Sequence, residues 1–135
     1  MLNPKLEFLY IALSATQCED CEQVDLVIKN MSSDTVYVIN QSSKYVNSNM
    51  SYSTLQYNLK YAYIIPPNET YKASVIKPEY SDNKTEVIVY RFYTSKTLND
   101  FSLKEIVEKN IYDKQYAVTY DDLRALEFLL VYDEK

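Results

Sequence analysis

Beyond residue 23 the chain alternates polar and apolar positions with a period of two, the mark of strands that bury one face. In Val24-Asp25-Leu26-Val27-Ile28-Lys29, the residues Val24, Leu26 and Ile28 share a side. The turn formers Asn30-Met31-Ser32-Ser33-Asp34 follow, then the run Thr35–Ile39, so the pattern predicts two strands joined as a hairpin or meander. The stretch Asn40–Asn58 is polar and reads as a long loop with a weak strand. Strands are expected over Lys60–Ile65 and Thr70–Ile76, with a turn at Pro67-Asn68-Glu69 between them and Pro78 ending the second. Glu79–Lys84 reads as a further turn.

Thr85–Thr94 carries apolar or aromatic residues on both faces, which predicts a central strand covered on both sides. Ser102-Leu103-Lys104-Glu105 has the spacing of a capping box, and Leu103, Ile106 and Val107 supply the apolar stripe of the helix behind it. Tyr116–Val118 reads as a short strand. Thr119 then caps a helical turn over Asp121–Leu126, with two acids where the helix dipole favours them. Glu127–Tyr132 is the last strand expected. The fold class predicted is mainly β: a sandwich of about seven strands, with one or two short helices late in the chain.

Composition narrows the chemistry. The 135 residues, enough for one domain, contain no His, no Gly and no Trp. Without His, serine and cysteine triads and the usual zinc and two-His iron sites drop out. Without Gly, there is no P-loop, dinucleotide fingerprint or nucleophile elbow, since each needs a backbone that a Cβ obstructs. Asn, with ten copies, is the natural substitute at left-handed turn positions. A net charge of −5, with the basic residues scattered, speaks against a nucleic-acid partner.

Tyr is abundant, with 15 copies. Two readings stand. Tyr is a favoured strand residue and can replace Trp and Phe in a core; it also makes good binding surface, being large, rigid and amphipathic. The candidate binding surface is Tyr45, Tyr52, Tyr57, Tyr61 and Tyr63, whose rings and hydroxyls suit a glycan or a protein.

Residues 1–17 are expected to be a signal peptide: Lys5, the apolar run Phe8–Leu13, then small residues before Cys18. The alternative is that Leu6–Leu13 is a first strand. Residues 18–22 then form a lipidated cysteine with an acidic spacer, and residues 23–135 the domain. Cys18 and Cys21 make a C-x-x-C among Glu19, Asp20 and Glu22, carboxylates that raise thiol pKa values and discourage redox chemistry. Lipid attachment at Cys18 is the leading reading; an inert or disulfide-linked pair and a metal or redox site are the others. With no His and no further Cys, zinc lacks two ligands, and no cofactor is expected.

Four pieces of the chain taken together resemble the small uncharacterised lipoproteins of Bacteroidota: Cys18-Glu19-Asp20-Cys21-Glu22; Ile65-Pro66-Pro67-Asn68-Glu69-Thr70; Val87–Tyr93 with Thr97-Leu98 and Ser102–Ile106; and Tyr116-Ala117-Val118-Thr119 with Asp122-Leu123. Leu103 and Phe128 stand where that group tends to have Trp, and Gln115 where it tends to have Arg. The resemblance implies an immunoglobulin-like sandwich, lipid on Cys18 and a place at the outer membrane, possible surface exposure being signalled by the acids after Cys18. It also implies a short O-glycosylation pattern at Asp34-Thr35-Val36. It carries no activity. The expectation is therefore a non-catalytic envelope lipoprotein that binds or assembles with an unidentified protein or glycan. Two oxygen-only calcium candidates stand apart, Ser81-Asp82-Asn83 and Asp121-Asp122; the second is better explained by helix capping.

Overall fold

A computed structural model describes residues 23–42, 51–76 and 86–134. The leader, including Leu6–Leu13, and the turn Glu79–Lys84 lie outside the described residues. Among those described, seven strands form two sheets, and the fold is mainly β and sandwich-like. One sheet has the order β4 (Thr70–Ile76), β1 (Gln23–Asn30), β7 (Leu129–Tyr132). The other has the order β3 (Tyr63–Ile65), β2 (Val36–Ser42), β5 (Ile88–Thr94), β6 (Lys114–Val118). All pairs are antiparallel except β1 with β7.

The inward faces meet in one core. Leu26 and Ile28 from β1, Val36 and Val38 from β2, Phe92 from β5 and Leu130 from β7 are almost wholly excluded from solvent. Val24 packs at its margin, so the face predicted for β1 is the buried one.

β1 and β2 are not a hairpin; they belong to different sheets. The cause is the connection between them. The buried Asn30 amide donates to the carbonyls of Asp34, Ile65 and Pro66 at 2.7, 2.9 and 3.1 Å, while its oxygen accepts from the amide and hydroxyl of Ser32 at 2.9 and 2.7 Å. One side chain thus ties the β1–β2 crossover to the β3–β4 crossover. In the latter, Glu69 donates its amide to the Pro66 carbonyl at 3.2 Å and Asn68 takes φ 61°, the left-handed position of a type II turn.

Four helices are described, more than predicted and not all late in the chain. Of these, α1 (Tyr52–Lys60) takes up the end of the expected loop Asn40–Asn58, of which residues 43–50 lie outside the described residues, and shortens the strand expected over Lys60–Ile65. Then come α2 (Ser95–Asp100), α3 (Leu103–Lys109) and α4 (Tyr120–Ala125). Leu55, Ile106, Ile39 and Tyr93 form a second core in which α1 and α3 cover the outer face of the four-stranded sheet. That sheet is therefore a middle layer, which is why β5 is apolar on both faces. α4 closes the sandwich with Tyr120 and Leu123.

Both expected caps are present. Ser102 and Glu105 close a capping box on α3, and Thr119 and Asp122 close one on α4. In the absence of Gly, Asn110 ends α3 in the left-handed conformation at φ 52°.

Candidate functional site

Ser51 caps α1 by accepting from the Thr54 amide at 3.2 Å, and Lys60 lies in the last turn, where the dipole favours a cation. Leu55 and Leu59 face the second core, which turns Tyr57 and Tyr61, four residues apart, outward together. Their ring centroids are 4.9 Å apart with planes at 54°, and 63% and 62% of each residue is exposed. The Lys60 ammonium stands 5.8 Å from the Tyr61 ring centre.

The four described candidate tyrosines do not all share one platform. Tyr45 lies outside the described residues, as do Cys18 and Ser81-Asp82-Asn83. Tyr52 belongs to the start of α1 and lines an open groove of about 690 Å³ with Leu103 and Val107 of α3. Tyr63 turns toward the core beside Val38, and its ring stacks on Tyr71 of β4 with centroids 4.4 Å apart and planes at 19°. That stack closes the gap between the edge strands of the two sheets, so Tyr63 takes the structural reading. Among the described candidates, Tyr57 and Tyr61 are the pair exposed with their rings together.

A polar cleft of about 410 Å³ opens at the other end of β5, near Asp34, Thr94, Lys96, Asp113 and Glu134. Its residues come from four separated segments, so no local pattern in the sequence marks it. Asp113 accepts from the Thr94 amide at 2.7 Å and from the Thr97 hydroxyl at 3.0 Å. Asp34 accepts from the Lys96 amide at 3.0 Å, and Glu134 from the Ser33 amide and hydroxyl at 3.1 Å each. These carboxylates fix the start of α2 and the chain end. Burial first, and then the charges of Asp113, Glu134 and Asp34, push the Tyr132 phenol above its ordinary range. Among the described residues, no group of three or more acids or cysteines is placed to hold a metal ion.

Asp121 and Asp122 are helix-terminus acids. Asp122 accepts from the Thr119 amide at 2.9 Å, and Asp121 pairs with Arg124 at 3.2 Å.

No family model, curated protein or solved structure matches the chain. Among the described residues, no helix is long and apolar enough to cross a membrane.

Proposed function

We propose that this chain is a non-catalytic binding module, held at the outer membrane by lipid on Cys18, that takes a protein partner on the Tyr57–Tyr61 face of α1. The observation that carries the reading is the paired exposure of those two rings. Two rigid amphipathic side chains, already ordered by a helix, lose little conformational freedom on binding. The two rings are tilted by 54° to each other and more than half exposed, so they do not offer one flat face on which a sugar could stack. Such a surface favours a protein partner over a glycan.

The test is a pull-down from envelope extract with the parent chain and with the double variant Tyr57→Ala/Tyr61→Ala, followed by direct titration of what is captured. The variant should fold as the parent does and lose the partner. Undiminished affinity of a purified partner for the variant would refute the site. Binding of soluble oligosaccharide, abolished by the same variant, would reassign the partner class.

Attachment is tested separately, by intact mass and detergent partitioning of protein made in its own host. The expectation is cleavage before Cys18 and partition into detergent. Unmodified, aqueous-phase protein that still begins at Met1 would sink it.

We also read the sandwich as immunoglobulin-like. The order β3-β2-β5-β6 corresponds to C′-C-F-G, and β4 beside β1 to E beside B. The departure is β7, which lies in the place of strand A yet comes last in the chain and runs parallel to β1.

A further inference from the structure

Along an antiparallel pair, every second residue of an edge strand directs its N–H and C=O away from its neighbour. In β1–β4 the Asn30 amide donates to the Glu69 carbonyl at 2.9 Å, and the register Ile28↔Tyr71, Leu26↔Ala73, Val24↔Val75 carries that phase along the strand. Tyr71, Ala73 and Val75 therefore bond to β1, while Thr70, Lys72, Ser74 and Ile76 turn their backbone groups to the side away from β1. Those groups meet no partner among the described residues. The strand runs seven residues without proline or bulge.

The other edges are shorter or closed. On β7, the outward backbone groups of Val131 are met by the Tyr116 hydroxyl. The phase set by the Ser95 amide on the Thr35 carbonyl (3.0 Å) leaves only Ile64 outward on β3, and Gln115 and Ala117 on β6. A lysine on an edge strand usually discourages a neighbour. Here Lys72 is drawn toward Asp25 of β1, 3.8 Å away.

We propose that two copies of the chain associate through β4, antiparallel about a two-fold axis at Ala73, joining two three-stranded sheets into one continuous sheet. The strand is self-complementary in that register. Lys72 faces Ser74 of the second copy, Tyr71 faces its Val75, Thr70 faces its Ile76, and Ala73 faces its own counterpart. No like charges stand directly opposed. The next in-phase register toward the start of β4 would set lysine against lysine and pair fewer residues. Pairing also covers Ile76 and Tyr71, which are 50% and 38% exposed in the single chain. An edge of this length buries less area than a standard stable interface, so the association is weak and reversible.

Sedimentation equilibrium of the full chain over a wide concentration range tests this. The mass should rise from the 15.9 kDa of one chain toward twice that value. Ser74→Pro removes an outward N–H and no bond to β1, so it should abolish the rise while circular dichroism and melting temperature stay at the parent values. Ala117→Pro, at the outward phase of β6, should leave the association intact. Ser74→Lys brings a second ammonium opposite Lys72 of the second copy and should weaken association about tenfold or more, with Lys72→Glu added to it restoring the parent behaviour; this pair decides the matter if Ser74→Pro fails to fold. A mass that stays at one chain at every concentration overturns the proposal. So does dimerisation of a folded Ser74→Pro, or its loss in Ala117→Pro alone.

Discussion

The phenol of Tyr116 on β6 fills the place of a neighbouring strand beside Val131 on β7, donating to its carbonyl at 2.7 Å and accepting from its amide at 3.3 Å. The two residues belong to different sheets, so the bond joins the layers on the side where the Tyr63–Tyr71 stack is absent. Tyr116→Phe keeps the ring against Phe92 and removes only the hydroxyl. Two half-buried backbone groups then lose their partner, at about 1–3 kcal/mol. Urea unfolding should show that loss, and amide exchange at Val131 should accelerate. A midpoint equal to the parent's would mean water replaces the phenol without cost.

Asn30 makes a sharper prediction because five hydrogen bonds converge on it. Asn30→Asp keeps the shape but replaces the donor amide with a carboxylate facing the carbonyls of Asp34, Ile65 and Pro66. The cost expected at neutral pH is about 3–5 kcal/mol, as for an uncompensated buried charge. Protonation would restore one donor, so the deficit should narrow as pH falls. Parent and variant melting curves at neutral and acid pH check both statements.

The sequence made the local features legible and left the distant ones hidden. The strand Thr70–Ile76 and the two capping boxes were readable because alternation and the Ser/Thr-to-acid spacing act over a few residues. α1 was hidden because only Leu55 and Leu59 mark its inner stripe in an otherwise polar segment. α2 has little stripe at all; Thr94 caps it locally, and Asp34 and Asp113 hold its start from other parts of the chain. Apolar residues on both faces of β5 announced that something covers the sheet, but not that helices do. The sheet change between β1 and β2 depends on what Asn30 reaches across the fold. For the tyrosines the difficulty is the same: Tyr57 and Tyr63 look alike in sequence, and only their neighbours turn one outward and the other into an inter-sheet stack.

The lack of Gly leaves a mark that can be removed. Glu127 and Phe128 follow α4 with φ of 58° and 57°, consecutive left-handed residues, each with a Cβ. That conformation costs an ordinary residue about 1–2 kcal/mol, part of which Gly would return as greater freedom of the unfolded chain. The Glu127 side chain is exposed, so Glu127→Gly should raise stability by about 0.5–1 kcal/mol, readable as a higher melting temperature. Phe128→Gly should not, because that ring packs on Tyr120 at 5.5 Å.

Burial of Tyr90 predicts a loss of stability at alkaline pH. The residue lies almost wholly within the core, and burial, followed by the neighbouring Tyr63 phenol, pushes its pKa from the ordinary 10.0 up to about 12. The folded state therefore favours the neutral phenol. Below pH 10 both states are protonated and the contribution is fully present. Between 10 and 12 the unfolded chain releases the proton and the folded chain keeps it, so the unfolded state binds fewer protons and stability falls as pH rises. The loss approaches about 2–3 kcal/mol as pH passes through the folded value. Tyr93 is raised in the same direction, again chiefly by burial, and adds to the slope. Tyr90→Phe should flatten the decline in this window, whatever it costs at neutral pH. Denaturant unfolding at stepped alkaline pH, with ultraviolet titration of the phenolates, measures both. A parent and variant that lose stability in parallel from neutral pH through pH 12 would show that Tyr90 does not govern it.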